Sequence, residues 1–318
     1  MAVLSGTVEK AEAIRTTGLE LTDDGNIRYT GSSPSNYIEF GNDNELWRII
    51  GIFEVTTASG KTEKLMKIVR NASIGGYSWD SSTGNNNGAH TDGEVNDGYG
   101  VNQWGASTYT NGSAYEGADL MRELNTLYLN QGSGTCFNGS NNASTTCNFT
   151  NTGIDSTFRD MIESVVWKTG AFSLGTVPVK TAYNAERGTT TGKICSGGTV
   201  CNDSVARTIS WTGKVGLIYP SDYGYASTNT SCRNNINDST NYSCKNDNWL
   251  HTGLSYWTLS PVADSFSSRS AWKVFYSGYA DYDHARVGIV VRPSVYLKSD
   301  VSITGGDGSS SNPYKLSA

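Results

Sequence analysis

Near the C-terminus, residues 272 to 286 alternate aromatic with small and polar types. Trp272, Phe275, Tyr276, Tyr279, Asp281, Tyr282, Asp283, His284 and Arg286 make up this strip. A tyrosine ring offers a large contact area at low rotamer cost and adds a hydroxyl. Aspartate and arginine at the edges add charge selectivity. That is the chemistry of recognition rather than of bond cleavage, so the strip is the candidate ligand-binding site. Regular segments bracket it, WTLSP at 257–261 before and a Val/Arg/Pro stretch from Ile289 after. A loop held between stiff flanks is how binding surfaces are built. The competing reading is an ordinary edge hairpin.

Bond-breaking chemistry finds less support. A glycoside hydrolase needs paired carboxylates in a cleft. Glu116, Asp119 and Glu123 recur at i, i+3 and i+7 of one expected helix, a spacing that reads as a solvated face. The three histidines, His90, His251 and His284, stand in no nucleophile motif, and G-x-S-x-G does not occur. His284 falls in the aromatic strip, where ligand contact is the better account. The chain therefore reads as non-enzymatic and without a cofactor. Scarce histidine and the lack of C-x-x-C argue against zinc. A structural calcium ion is admissible in the Asn/Asp-rich stretches Asn85–Asp97 and Asn246–Asn248, although neither has the spacing of a known calcium loop.

The six cysteines fall into local pairs: Cys136 with Cys147, Cys195 with Cys201, and Cys232 with Cys244. Each pair brackets a short polar loop. Local pairing is the simplest of the many possible connectivities. Disulfides imply an oxidising compartment, so the expected location is extracellular or cell-surface; free cytosolic thiols are the alternative. No hydrophobic run is long enough to span a membrane, and no signal peptide is present. The opening Met1-Ala2 fits an artificial start to a trimmed secreted chain, with any membrane attachment through a missing N-terminal segment. The net charge is −6 without a Lys/Arg block, which excludes the electrostatic footprint of a nucleic-acid binder and a polybasic membrane patch.

The elements that must position the strip are short. Gly is frequent (36), Pro scarce (6) and only 17% of residues are charged, a composition of many turns and few charged helix faces. Glu45–Val55 and Glu63–Arg70 read as two strands of a β-hairpin. Residues 71–114 read as a long loop system. Residues 115–130 predict an amphipathic helix with Leu120, Met121, Leu124, Leu127 and Tyr128 on one face. Phe158, Met161, Ile162, Val165 and Val166 predict a second over Ser156–Lys168. Further strands are expected at Trp211–Tyr219, Ser255–Leu259, Ala271–Tyr276 and Ile289–Leu297. This order points to α+β, with two helices flanking antiparallel strands and long loop insertions.

Several local motifs carry a resemblance: NIRY at 26–29, WRIIG at 47–51, SIGGYSW at 73–79, WTGKVGLIYPSDYGY at 211–225, WTLSP at 257–261, VRP at 291–293, YLKS at 296–299 and GDGSSSNPYKL at 306–316. With these, the chain resembles extracellular variable proteins of gut Firmicutes. Such proteins carry a pilin-like N-terminal segment, absent here, and a C-type lectin-like domain diversified by a diversity-generating retroelement. The resemblance implies a C-type lectin-like fold over residues 45–318, with 1–44 as a stalk or extension packing on it. It also implies a strand near 45–55 lying close to 289–297, and a variable segment at about 262–290. Adenine mutagenesis of Asn codons reaches every residue type found at 274–287. The sugar-binding motifs E-P-N and W-N-D of calcium-dependent lectins are absent. So is the late cysteine used by formylglycine-generating enzymes, which share that scaffold in its broad sense. The implied function is display of a hypervariable site for a protein or glycan ligand on another cell or a phage. The alternatives are a structural type IV pilin-like subunit or an adhesin without a variable site, and behind them a carbohydrate-active enzyme.

Overall fold

The longest strand pair begins with a run of residues that can be buried on both faces. Leu46–Thr56 pairs antiparallel with Thr62–Arg70, from Trp47 opposite Arg70 to Thr56 opposite Thr62. β-Branched and aromatic side chains dominate the first strand, as a pleated, packed surface favours, and Leu65, Ile68 and Val69 of the second are buried with it. The turn closes where Thr57 N–H donates to Lys61 O at 2.8 Å, with Gly60 at φ 84°. Gly51 sits at a register shift in this ladder, and a Cβ there would lie 2.1 Å from the Ile27 carbonyl oxygen. Only glycine admits that approach.

The computed structural model describes residues 18–42, 44–81, 100–108, 114–138, 144–188, 193–195, 199–201, 208–263 and 269–318. Around the hairpin an eight-stranded antiparallel sheet assembles in the order Leu19–Leu21, Ile27–Tyr29, Leu46–Thr56, Thr62–Arg70, Ser294–Leu297, Ile162–Glu163. Tyr37–Glu39 joins Leu46–Thr56, and Val215–Gly216 joins Ser294–Leu297. The segment expected as an extension thus contributes strands to the sheet itself. A second sheet runs Ala280–His284, Ser270–Val274, Tyr256–Pro261, Gly288–Val290, Gly76–Ser78, with one parallel contact between Tyr256 and Val290. The protein is α+β with mostly antiparallel strands.

The stretch expected as one strand at Ile289–Leu297 serves both sheets. It breaks at Arg292-Pro293, where the Pro293 carbonyl accepts from Arg70 N–H at 2.9 Å. Proline has no N–H to continue a ladder. Ser294–Leu297 then lies one strand removed from Leu46–Thr56, because Thr62–Arg70 intervenes.

Two helical expectations are corrected. The helix over 115–130 is α-helical only at Asp119–Glu123 and continues as a π-helix at Leu124–Tyr128. The expected helix over Ser156–Lys168 stops at Arg159. Ile162–Glu163 instead pairs with Tyr296–Leu297, and Val165–Lys168 pairs with Ser210–Gly213, setting Trp167 against Trp211. The i, i+3, i+4 spacing was real, but Ile162, Val165 and Val166 are β-branched, and the sheet edges offered them partners. Pro220–Ala226, directly after the strand expected at Trp211–Tyr219, is a fully buried helix. Pro220 opens it, and Asp222 accepts from Tyr219 N–H at 3.0 Å.

Among the described residues two disulfides are formed. Cys136–Cys147 ties the hairpin Ser133–Phe137/Ser144–Asn148, and Cys232–Cys244 ties the helix Thr230–Asn234 to a 3₁₀ turn at Ser243–Lys245. Both are consistent with an extracellular location. The side chains of Cys195 and Cys201 lie outside the described residues, as does Asn85–Asp97.

Candidate binding face

Ser270–Val274 and Ala280–His284 form a hairpin in which Trp272 faces Tyr282 and Lys273 faces Asp281. The turn between them closes through Phe275 N–H to Tyr279 O and Gly278 N–H to Phe275 O, both 2.9 Å. Gly278 has φ 98°, and a Cβ on it would lie 2.3 Å from Lys245 Cβ. The turn is therefore pressed against the Cys232–Cys244 loop. That loop also holds the start of the second strand: Ala280 N–H donates to Ile236 O, and Asn237 Nδ2 donates to Ala280 O, both at 2.7 Å.

The strip divides between surface and core. Tyr276 is 58% exposed and Tyr282 41%. Phe275, Tyr279, Asp281, Asp283, His284 and Arg286 are half-buried. Trp272 is the correction: it is fully buried, stacked on Phe172 with ring centroids 4.5 Å apart, and its Nε1 donates to Phe172 O at 3.2 Å. Ser270–Val274 is covered on both faces, and that cover is supplied by residues such as Phe172 from elsewhere in the chain.

Four rings, two exposed and two half-buried, form a chain. Phe275 lies 4.3 Å from Tyr276 and 5.3 Å from Tyr279, and Tyr279 lies 5.9 Å from Tyr242. Tyr242 is 39% exposed and belongs to the cystine loop; Lys245 follows Cys244 directly, and its ammonium lies 5.7 Å from the Tyr242 ring. Sequence reasoning missed both; the available signal was an aromatic two residues before Cys244. Leu254 is exposed nearby in the chain, and the Ser255 hydroxyl accepts from Tyr276 N–H at 3.0 Å.

Charge is organised beneath the rings. Lys273 bonds Asp283 at 2.7 Å, lies 3.8 Å from Asp281, and sits 5.1 Å from the Phe275 ring. Burial raises the Asp281 carboxyl above its ordinary value, against the pull of Lys273, and the Asp283 charge adds to the rise. Burial also raises the Tyr279 phenol, with Asp281 next in effect. His284 Nδ1 lies 3.5 Å from the Ser270 hydroxyl, beyond the usual reach of about 2.6–3.2 Å between a nucleophile and its base.

The carboxylates weighed for catalysis sit elsewhere, and two of the three turn inward, contrary to a solvated face. Asp119 accepts from Ser81 N–H at 2.9 Å and from Arg122, and Glu123 accepts from Phe137 N–H at 3.1 Å. Both are buried, while Glu116 remains exposed. The helix packs this side under the Cys136–Cys147 hairpin, so hydrogen bonds to that hairpin and to Ser81 replace water. At Asn246–Asn248, the Asn248 amide is occupied by Tyr223 O and Cys244 O, both 2.9 Å away, and by Leu250 N–H at 3.0 Å. Among the described residues no group of three His, Cys, Asp or Glu side chains is placed to hold a metal ion, and no helix is long and apolar enough to cross a membrane.

Comparison with family models, with curated proteins and with solved structures returns no match for this chain.

Proposed function

We propose that the protein is a non-enzymatic, extracellular ligand-binding protein whose binding face is the strip from Phe275 to Arg286. On this reading the scaffold is C-type lectin-like and the segment 262–290 is a hypervariable cassette of the retroelement-diversified kind. The ligand is a protein or glycan on another cell or a phage. The observation that carries the reading is a contrast within one hairpin. Ser270–Val274 is buried throughout, while Tyr276 and Tyr282 project from the turn and the outer strand. Rigid support under exposed tyrosines is the arrangement of a paratope.

The test is binding of the oxidised full chain to a glycan array and to a panel of bacterial cells and phages. The reading expects at least one saturable interaction that Tyr276→Ala together with Tyr282→Ala abolishes while the thermal transition stays unchanged. An interaction that survives both substitutions places the binding elsewhere. Filament assembly through this face favours a pilin-like subunit instead. A near-repeat of the coding segment for 262–290 beside a reverse transcriptase, differing at adenines, tests the cassette separately.

A further inference from the structure

A second site lies in the scaffold, at a pocket of about 260 Å³ beside the main sheet. Its lining includes Arg187, Lys168, Tyr219, Tyr296 and Glu54. Arg187 packs on two rings, its guanidinium carbon 3.9 Å from the Tyr183 centroid and 4.3 Å from that of Tyr219. One of its nitrogens, Nη1, donates to Glu186 Oε2 at 2.8 Å. Glu186 is buried and in turn accepts from the Ser221 N–H at 2.9 Å and from the Ser221 hydroxyl. The guanidinium is thus held by Glu186 and by two aromatic rings. Its side chain is still 19% exposed, and its remaining nitrogens have no partner among the described residues.

Lys168 is anchored by its main chain, whose N–H and C=O bond the Tyr219 hydroxyl at 3.0 and 2.8 Å. Its ammonium has no partner among the described residues. The Tyr296 hydroxyl is likewise without one, although the residue is buried. Glu54 is the one acid among the lining residues, and it is exposed. Two cations and a phenol therefore converge on one cavity, with the only nearby acid in the lining at the solvent side.

We propose that this pocket binds the oxyanion group, carboxylate or phosphate, of a small molecule. A planar guanidinium with free donors matches either group bidentately, and a lysine adds a point charge. The volume is near the low end of the roughly 300–1,000 Å³ of small-molecule sites. That suits a compact solute and not a polymer segment. The site shares no residue with the aromatic strip, so the two stand or fall separately.

The test uses the full oxidised chain with labelled tyrosine rings. Inorganic phosphate, acetate and chloride are titrated at matched ionic strength, and the ring signals of Tyr219 and Tyr296 are followed by NMR. The expected result is a saturable shift of both signals with phosphate or acetate and not with chloride. Phosphate alone identifies a phosphoryl ligand, and acetate alone a carboxylate. Lys168→Ala removes a half-buried side chain outside the core and is expected to weaken the response about tenfold or more, the size of one charge-assisted contact. Arg187→Lys keeps the charge but loses the fork and is expected to weaken acetate more than phosphate. No saturable shift with either anion in the folded wild type overturns the proposal. So does an affinity unchanged by Lys168→Ala.

Discussion

Asp222→Asn is expected to be among the costliest single substitutions in this protein. The carboxylate sits on the buried helix Pro220–Ala226 and holds two cations from distant strands. Oδ1 accepts from Arg28 at 2.7 Å, and Oδ2 accepts from Lys67 at 2.6 Å and from Tyr219 N–H at 3.0 Å. All three charged side chains are buried, and the rings of Tyr219, Trp167, Tyr296 and Phe53 surround the ammonium at 4.4 to 5.8 Å. Burial alone would raise the Asp222 carboxyl; Lys67, then Arg28 and Arg187, overcome it and hold the carboxyl well below the usual carboxylate range. Asparagine keeps the shape and can still cap Tyr219 but leaves the cations without that anion. Removing one partner of a buried pair costs about 3–5 kcal/mol, a large share of a typical stability of about 5–15 kcal/mol. Arg28 retains Asp24, so the loss falls mainly on Lys67. Lys67→Met leaves Asp222 with Arg28 and the Tyr219 N–H, and should cost less, about 1.5–3 kcal/mol for one charge-assisted hydrogen bond. Equilibrium urea unfolding at pH 7, with the disulfides intact, measures both. Because the folded carboxyl is depressed, its stabilisation is present above the ordinary value of about 3.9 and is lost as pH falls toward the folded value. The gap between wild type and Asp222→Asn should therefore narrow below about pH 4. A Lys67→Met variant as unstable as Asp222→Asn, or a gap that widens in acid, would refute this account.

Two further expectations follow from burial. Trp272→Ala should destabilise by about 3–5 kcal/mol, as loss of a core tryptophan does, whereas Tyr276→Ala should stay within about 0.5 kcal/mol of wild type as a surface change; thermal or urea midpoints compare them, and equal effects would return Trp272 to the binding face. Glu123 has its carboxyl raised well above the ordinary value by burial first and by Asp119 second, and its Oε2 has no hydrogen-bond partner. A raised carboxyl binds its proton more tightly when folded, so stability should fall as pH rises from about 4.5 toward the folded value. Glu123→Gln should flatten that slope in pH-dependent unfolding, and an unchanged slope would count against it.

Local chemistry decided much of this protein. The hairpin of Leu46–Thr56 and Thr62–Arg70 was legible because two strand-length segments rich in aliphatic residues flank a Ser-Gly turn, and both register and turn depend on nearby residues. Cystine pairs across short polar loops were legible for Cys136–Cys147 and Cys232–Cys244, because closing a short loop needs little chain entropy. The strip was expected as a loop between stiff flanks, with an edge hairpin as the competing reading; it folds as a hairpin, and Tyr276 and Tyr282 are on its surface.

What the linear pattern left open was decided by partners far along the chain. Met161–Val166 matched a helix period, yet Ser294–Leu297 and Ser210–Gly213 presented strand edges whose hydrogen bonds a helix could not satisfy. Trp272 and Tyr282 are cross-strand neighbours of the same broad type, yet one meets Phe172 and the other meets solvent. Asp119 and Glu123 have the spacing of a wetted helix face and are buried because Ser81 and the Cys136–Cys147 hairpin close over them. Tyr242 and Lys245 join the aromatic strip only through the packing of Gly278 against the cystine loop. Side-chain period and turn chemistry are properties of a few neighbouring residues. Burial is a property of whatever arrives from elsewhere: Phe172 covers Trp272 across 100 residues and Lys67 meets Asp222 across 155.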